Sequence, residues 1–181
     1  MPQNLIKDVQ AVLEDISSRV DQIVQETNLH CPTGCGACCH SPDIEAMPVE
    51  MLPLAELAIS QGITTKGTLC PFFQPHQLTN LKGRCGAYAL RPSICRIFPY
   101  GTTKDKTGTV RWNKCSKMPE SKEVEKTKTT ILEGKTLNYT LAKQELQDLQ
   151  PELSETMPIN KALIGAMNYI KAKTCYNTKC N

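Results

Sequence analysis

Residues 30–40 read HCPTGCGACCH, which places Cys31, Cys35, Cys38 and Cys39 within nine positions and a histidine on either side. This run constrains the chain more than any other feature, because dense cysteines commit a fold to metal, catalysis, disulfides or tight packing. The compartment decides between the first two and the third. The opening stretch MPQNLIKDVQAVLEDISSRV has no basic region followed by an apolar run, so we expect no signal peptide. No window approaches the ~20 apolar residues of a membrane span. We therefore expect a cytoplasmic protein with reduced thiols, in which ten cysteines speak for metal or catalysis.

Packing alone is the simplest alternative. Cys31, Cys35, Cys38 and Cys39 stand at i, i+4, i+7 and i+8, one stripe of a helix on which free cysteines would act as small hydrophobes. Pro32, Gly34 and Gly36 break that helix in its first half and count against the stripe. Sharper motifs miss narrowly. A haem-attachment C-x-x-C-H would need a cysteine where Gly36 stands. The papain-type pattern fits Cys35 to Cys38 but fails at Cys39, and the last histidine is His76. A thioredoxin-like reading of Cys35-Gly-Ala-Cys38 wants a βαβ unit that the helical flanks do not supply. The spacing C-x3-C-x2-C resembles the radical S-adenosylmethionine signature for a [4Fe–4S] cluster, without the usual aromatic before the third cysteine and without an alternating β/α pattern.

Metal ligation has positive support. Thiolates suit zinc and iron–sulfur clusters, and a closed site takes four. Cys35, Cys38 and Cys39 can meet across one helical turn, while Cys31 folds back through the Pro-Thr-Gly bend. Adjacent cysteines rarely serve one tetrahedral ion, so Cys38 and Cys39 point to two metals and to further ligands. The middle segment supplies Cys70, Cys85, Cys95 and Cys115. In GRCGAYALRPSICRIFPYG, Arg91-Pro92 opens a short helix that sets Cys95 in its first turn, where the dipole and a nearby arginine favour thiolate. Arg84, Arg91 and Arg96 are candidate donors to anionic sulfur.

Around this middle the chain reads as helix. Leu5, Val9, Val12, Ile16, Val20 and Ile23 recur at steps of three and four, with Ile6, Leu13 and Val24 beside them, and predict a helix over 4–27 capped by Asn4. A second helix runs from about Pro48 to Gly62, with Pro53 demanding a kink or a later start. Residues 102–112 read as a hairpin turning at Thr107-Gly108. Further helices follow to about Leu132, ending at Gly134, then over 136–150 and 158–172. The expected fold is a mainly α, α-rich single domain, 1–181. Its cysteine-rich middle (31–118) is irregular and metal-stapled, with a short β-hairpin, and 119–181 is helical. Three phenylalanines and one tryptophan leave little aromatic bulk, which gives a staple its purpose.

The ordered set C-x3-C-x2-C-C, Cys70-Pro71-Phe72, then Cys85-x2-Tyr88-x2-Arg91-Pro92-x2-Cys95-Arg96 resembles the YkgJ-type cysteine-cluster family, described as zinc or iron chelators. The resemblance covers about residues 31–100. It implies Cys31, Cys35, Cys38, Cys39, Cys70, Cys85 and Cys95 as ligands, with Arg91 and Pro92 in support. Cys115 would complete eight. The cofactors expected are zinc or iron ions, a [4Fe–4S] cluster included, and the leading function is metal binding that is at least partly structural.

A metal- or iron–sulfur-dependent modifying enzyme is the alternative, radical-type or methylase-like, since a flagellin lysine methylase is similar to this family in carrying such a cluster. No glycine-rich cofactor loop or paired-carboxylate constellation accompanies it, no catalytic residue is identified, and Asp43, Glu45 and Glu50 suit helix starts. Metal storage or delivery, or a partner-binding module, is a third reading, with no protein partner identified. Eight thiolates on two divalent ions would bring the formal charge of +3 to about −1. With the bases scattered, no nucleic-acid partner is expected. His30, His40 and His76 are reserve ligands, and Cys175 and Cys180 are expected as terminal free thiols.

Overall fold

The long amphipathic stripe at the start of the chain folds as expected. In the computed structural model, which describes residues 2–32, 34–41, 44–65, 67, 69–77, 80–118, 120–132 and 137–178, helix α1 spans Pro2–Thr27. It starts two residues before the expected cap, so Asn4 lies inside the first turn. Ile6, Val9, Leu13, Ile16, Val20 and Ile23 are buried, while Leu5, Val12 and Val24 flank them. The buried line is thus rotated from the one a strict reading of Leu5 and Val12 gives. Asn28, with φ 55°, ends the helix in the left-handed conformation that asparagine tolerates.

The short α2 (Ala37–His40) and β1 (Glu45–Ala46) precede α3 (Leu52–Ser60), which begins with Pro53 in its first turn after a 3₁₀ turn at Val49–Met51. That is the later start the proline requires. Gly62 follows the helix at φ 63°, where a side chain would be strained. Strands β2 (Phe73–Gln77) and β3 (Asn80–Cys85) form an antiparallel hairpin that the sequence did not announce. Helix α4 (Ser93–Ile97) follows Arg91-Pro92 as expected. The predicted hairpin is present as β4 (Gly101–Lys104) against β5 (Val110–Trp112). Its turn is organised by Asp105, whose Oδ1 accepts from the Thr107 and Thr109 amides.

Three helices complete the chain. α5 spans Lys122–Leu132, and the expected stop at Gly134 lies outside the described residues. β6 (Leu137–Asn138) pairs in parallel with β4, and Asn138 then caps α6 (Tyr139–Leu149) by accepting from the Thr140 and Leu141 amides. β7 (Met157–Pro158) pairs with β1 and leads into α7 (Ile159–Thr178), which is longer than its periodic face suggests. Ile159, Ala162, Leu163 and Ala166 are buried, and the exposed residues beyond continue the helix. The fold is mainly α with short β-hairpins. α3 packs on α7, α1 touches α4, α5 and α6, and the buried residues form one hydrophobic cluster. Among the described residues no helix is long and apolar enough to cross a membrane.

Candidate metal centre

Four separate segments bring cysteines to the edge of that cluster, and close backbone contacts position them. After α1, the Leu29 carbonyl accepts from Tyr100 Oη at 3.0 Å, tying the approach to Cys31 to the segment after α4. The Cys35 amide donates to Pro32 O at 3.1 Å, which closes the bend expected before Cys35; Thr33 itself lies outside the described residues. The Gly83 amide donates to Gly34 O at 3.0 Å, docking the bend on β3. Two glycines make this approach attainable. A Cβ on Gly36, itself at φ 56°, would lie 2.7 Å from the Phe73 ring, and one on Gly83 would lie 2.4 Å from Gln74 O; neither fits.

The β2–β3 hairpin pairs Phe73 with Cys85, and Phe73 N donates to Cys70 O at 3.0 Å. Cys70 and Cys85 thus sit at the open end of one hairpin. Cys95 comes from α4, whose start is fixed by Glu50, a residue expected only as a charge at its own helix start. Glu50 is fully buried and reaches beyond its own helix start. Its Oε1 accepts from the Met47 amide at 2.9 Å, and its Oε2 accepts from the Ser93 amide at 2.6 Å. Burial raises its pKa, against the lowering effect of those bonds.

Seven cysteines (Cys31, Cys35, Cys38, Cys39, Cys70, Cys85 and Cys95) line one cavity of about 260 Å³, with Ile44, Leu54, Phe72 and Ile159 among its apolar walls. No described Asp, Glu or His lines it. The donor set is therefore soft sulfur, which fits zinc or iron and does not fit hard cations that require oxygen. Cys115 does not line this cavity. It is buried, its charge is felt at Cys31, and its Sγ accepts from the Lys117 amide at 3.4 Å.

The sulfurs are in different protonation environments. Burial pushes Cys31 up to about 11, with Cys35, Cys38 and Cys115 adding repulsion. Cys38 and Cys39 share a hydrogen bond that brings Cys38 down to about 6 and drives Cys39 strongly upward. Burial also raises Cys70 and Cys85. Against this, backbone N–H groups reach both sulfurs: Phe72 at Cys70 and Ala87 at Cys85. With Lys117 at Cys115, each of these three sulfurs accepts from the residue two positions on, a bond that gains strength when the sulfur is anionic.

Arg91 favours the thiolate of Cys95 as expected, but the net shift goes the other way. Its thiol is raised well above the usual value, chiefly by desolvation, which outweighs a dipole in a five-residue helix. Among the described residues, no three His, Cys, Asp or Glu side chains are already grouped around one point as a bound ion would hold them. The cysteine thiols carry protons that a metal would have to displace.

Neither described histidine side chain lines the first cavity. His30 Nε2 lies 3.2 Å from Asn28 Oδ1, and the His76 ring covers Gly34. The His40 side chain is not among those described. Cys175 is exposed on α7, and Cys180 lies outside the described residues.

Residues 30–116 match the model of the CxxCxxCC family, described as a putative zinc- or iron-chelating domain. This segment is similar to the CxxCxxCC cysteine-cluster family, which supports the resemblance drawn from the motifs. The match includes all eight cysteines singled out from the sequence and ends before α5. It supports metal binding, of zinc or iron, as the function class of the domain. Nothing among curated proteins or solved structures matches the chain. Between this segment and α1 a second cavity, of about 400 Å³, lies against the first. It shares Cys31, Cys38, Cys95, Tyr88 and Arg91 with it and adds Ser17, Asp21, His30, Arg96 and Tyr100.

Proposed function

We propose that the seven cavity cysteines are the ligands of zinc or iron, with Cys115 as an eighth thiolate, and that the metal staples the irregular middle to the helices. The observation that carries this reading is the cavity wall itself. Seven thiols, with no described carboxylate or imidazole among them, come from four chain segments to enclose one space. The amide donors at Cys70, Cys85 and Cys115 support the same reading, because they favour anionic sulfur. Bound there, the metal would supply crosslinks that a glycine-rich segment otherwise lacks.

The test is anaerobic purification followed by metal and acid-labile sulfide analysis and a visible spectrum. Bound zinc or iron is expected, with uptake lost in Cys35→Ser and Cys95→Ser. Sulfide and a brown colour identify an iron–sulfur cluster, whereas colourless zinc protein excludes one. Stripping the metal is expected to deprotect the amides of residues 31–100 to hydrogen exchange; unchanged protection and melting temperature would overturn the staple.

The second cavity favours one further reading, a metal-dependent modifying enzyme. Its space, where Asp21, His30 and Arg96 stand among apolar walls, abuts Cys31, Cys38 and Cys95, so a substrate there would lie beside the proposed metal ligands. An iron–sulfur spectrum altered by a small molecule that occupies this space would support the enzyme over the staple.

A further inference from the structure

The two cavities share Arg91 in their common wall, and the way this arginine is held calls for an explanation. Its guanidinium lies flat on the Tyr88 ring, with Cζ 3.4 Å from the centroid. Its Nε donates to Tyr88 O at 3.0 Å and its Nη1 to Cys95 O at 2.9 Å. Arg96 locks the backbone beneath it, donating from Nε to Arg91 O at 2.6 Å and from Nη1 to Ser17 Oγ. Arg96 is only 7% exposed. Among the described residues neither arginine forms an ion pair with a carboxylate.

Two partly or fully buried guanidiniums side by side, without a paired carboxylate, are unfavourable unless an anion stands nearby. Burial first, then Arg91, reduces the pKa of Arg96, and Glu14 offsets this only in part. The charge of Arg91 reaches Cys31, Cys38, Cys85 and Cys95. A divalent ion on four thiolates carries a net charge of about −2, and a [4Fe–4S] cluster on four thiolates is likewise anionic.

We propose that Arg91, clamped between Tyr88 and Arg96, is the built-in counter-charge of the thiolate centre, a positioning residue that lets an anionic metal site exist at the core edge. The inference rests on the metal-binding reading above. Arg84 is the contrasting case. It also lines the first cavity, but it is exposed and its Nε donates to Gln74 Oε1 at 3.2 Å, so water screens it.

The test measures zinc affinity by competition with a chromophoric chelator, on the full-length reduced chain, with cobalt spectra as a geometry check. Arg91→Met is expected to bind zinc about 10- to 100-fold more weakly, the usual cost of losing a partner behind the ligands. Arg91→Lys keeps the charge but not the planar fork and is expected to stay within about threefold of wild type. Arg84→Met is expected to weaken binding less than Arg91→Met does.

An Arg91→Lys variant as weak as Arg91→Met would show that the fork's hydrogen bonds, not the charge, matter, and would overturn the proposal. So would an Arg91→Met variant of undiminished affinity. Wild-type protein that takes up neither zinc nor iron would overturn the metal reading, and the counter-charge with it.

Discussion

The buried stripe of α1 lies inside the hydrophobic cluster, and the cysteine cavity meets its edge through Cys70, Cys85 and Cys95. The two regions are held in opposite ways. Along α1, neighbours in space are three or four residues apart in sequence, and each buried side chain contributes through the apolar surface it removes from water. Around the cavity, neighbours come from residues 31–39, 70, 85 and 95. They are fixed by backbone hydrogen bonds, two cramped glycines and one buried carboxylate. Apolar packing completes the first region by itself. The second is left with a row of thiols whose remaining bonding capacity points into a space.

The contrast can be broken by experiment. The largest effect is expected from Leu13→Ala, at a position 1% exposed. Thermal or urea unfolding should show a loss of about 2–5 kcal/mol, the same in metal-loaded and metal-stripped protein. A loss that depends on metal would mean the helical core is not independent of the site. Gly36→Ala comes next. A side chain at φ 56° that also meets the Phe73 ring is expected to cost about 1–3 kcal/mol of backbone strain. Because the strain falls on the docked bend, zinc affinity should fall while far-UV helix content holds. A variant that lost helix content instead would erase the distinction between the regions.

The smallest effect is set by pH, at the β4–β5 turn, which belongs to neither region. Hydrogen bonds from Thr107, then Arg111, hold Asp105 below its ordinary 3.8. A carboxylate with a lowered folded pKa contributes stability above its unfolded value, and that stability is lost as pH falls through the folded value. Acid should therefore shift the Thr107 and Thr109 amide resonances before any global unfolding. If Asp105→Asn left that titration unchanged, the assignment would fail.

How much could be read beforehand follows the same division. The helices were legible because periodicity is a local signal: α1, α4 and α7 stand where the spacing of apolar residues and Pro92 and Pro158 put them. α6 begins only at Tyr139, because β6 takes Leu137–Asn138 from the stretch expected as helix. Thr107-Gly108 gave the β4–β5 hairpin for the same reason. The β2–β3 hairpin was not legible, since Phe73–Gln77 and Asn80–Cys85 carry Pro75 and Gly83 and no alternation of apolar residues. The cysteines announced a shared site by their number and order. Their environments were hidden, because burial, not the helix start, governs the thiol of Cys95. Glu50 was hidden as well. Nothing local distinguishes a first-turn glutamate from one whose second oxygen is used 43 residues later.

Glu50 makes the division between the regions incomplete. One oxygen holds the turn that launches α3, and the other holds the turn that carries Cys95, so a rigid three-atom carboxylate works as a strut between the helical body and one wall of the cavity. A pull on Cys95 toward an ion would be transmitted along that strut to α3 and to α7 packed on it. A displacement of Cys95 thereby has a mechanical route into the helical body.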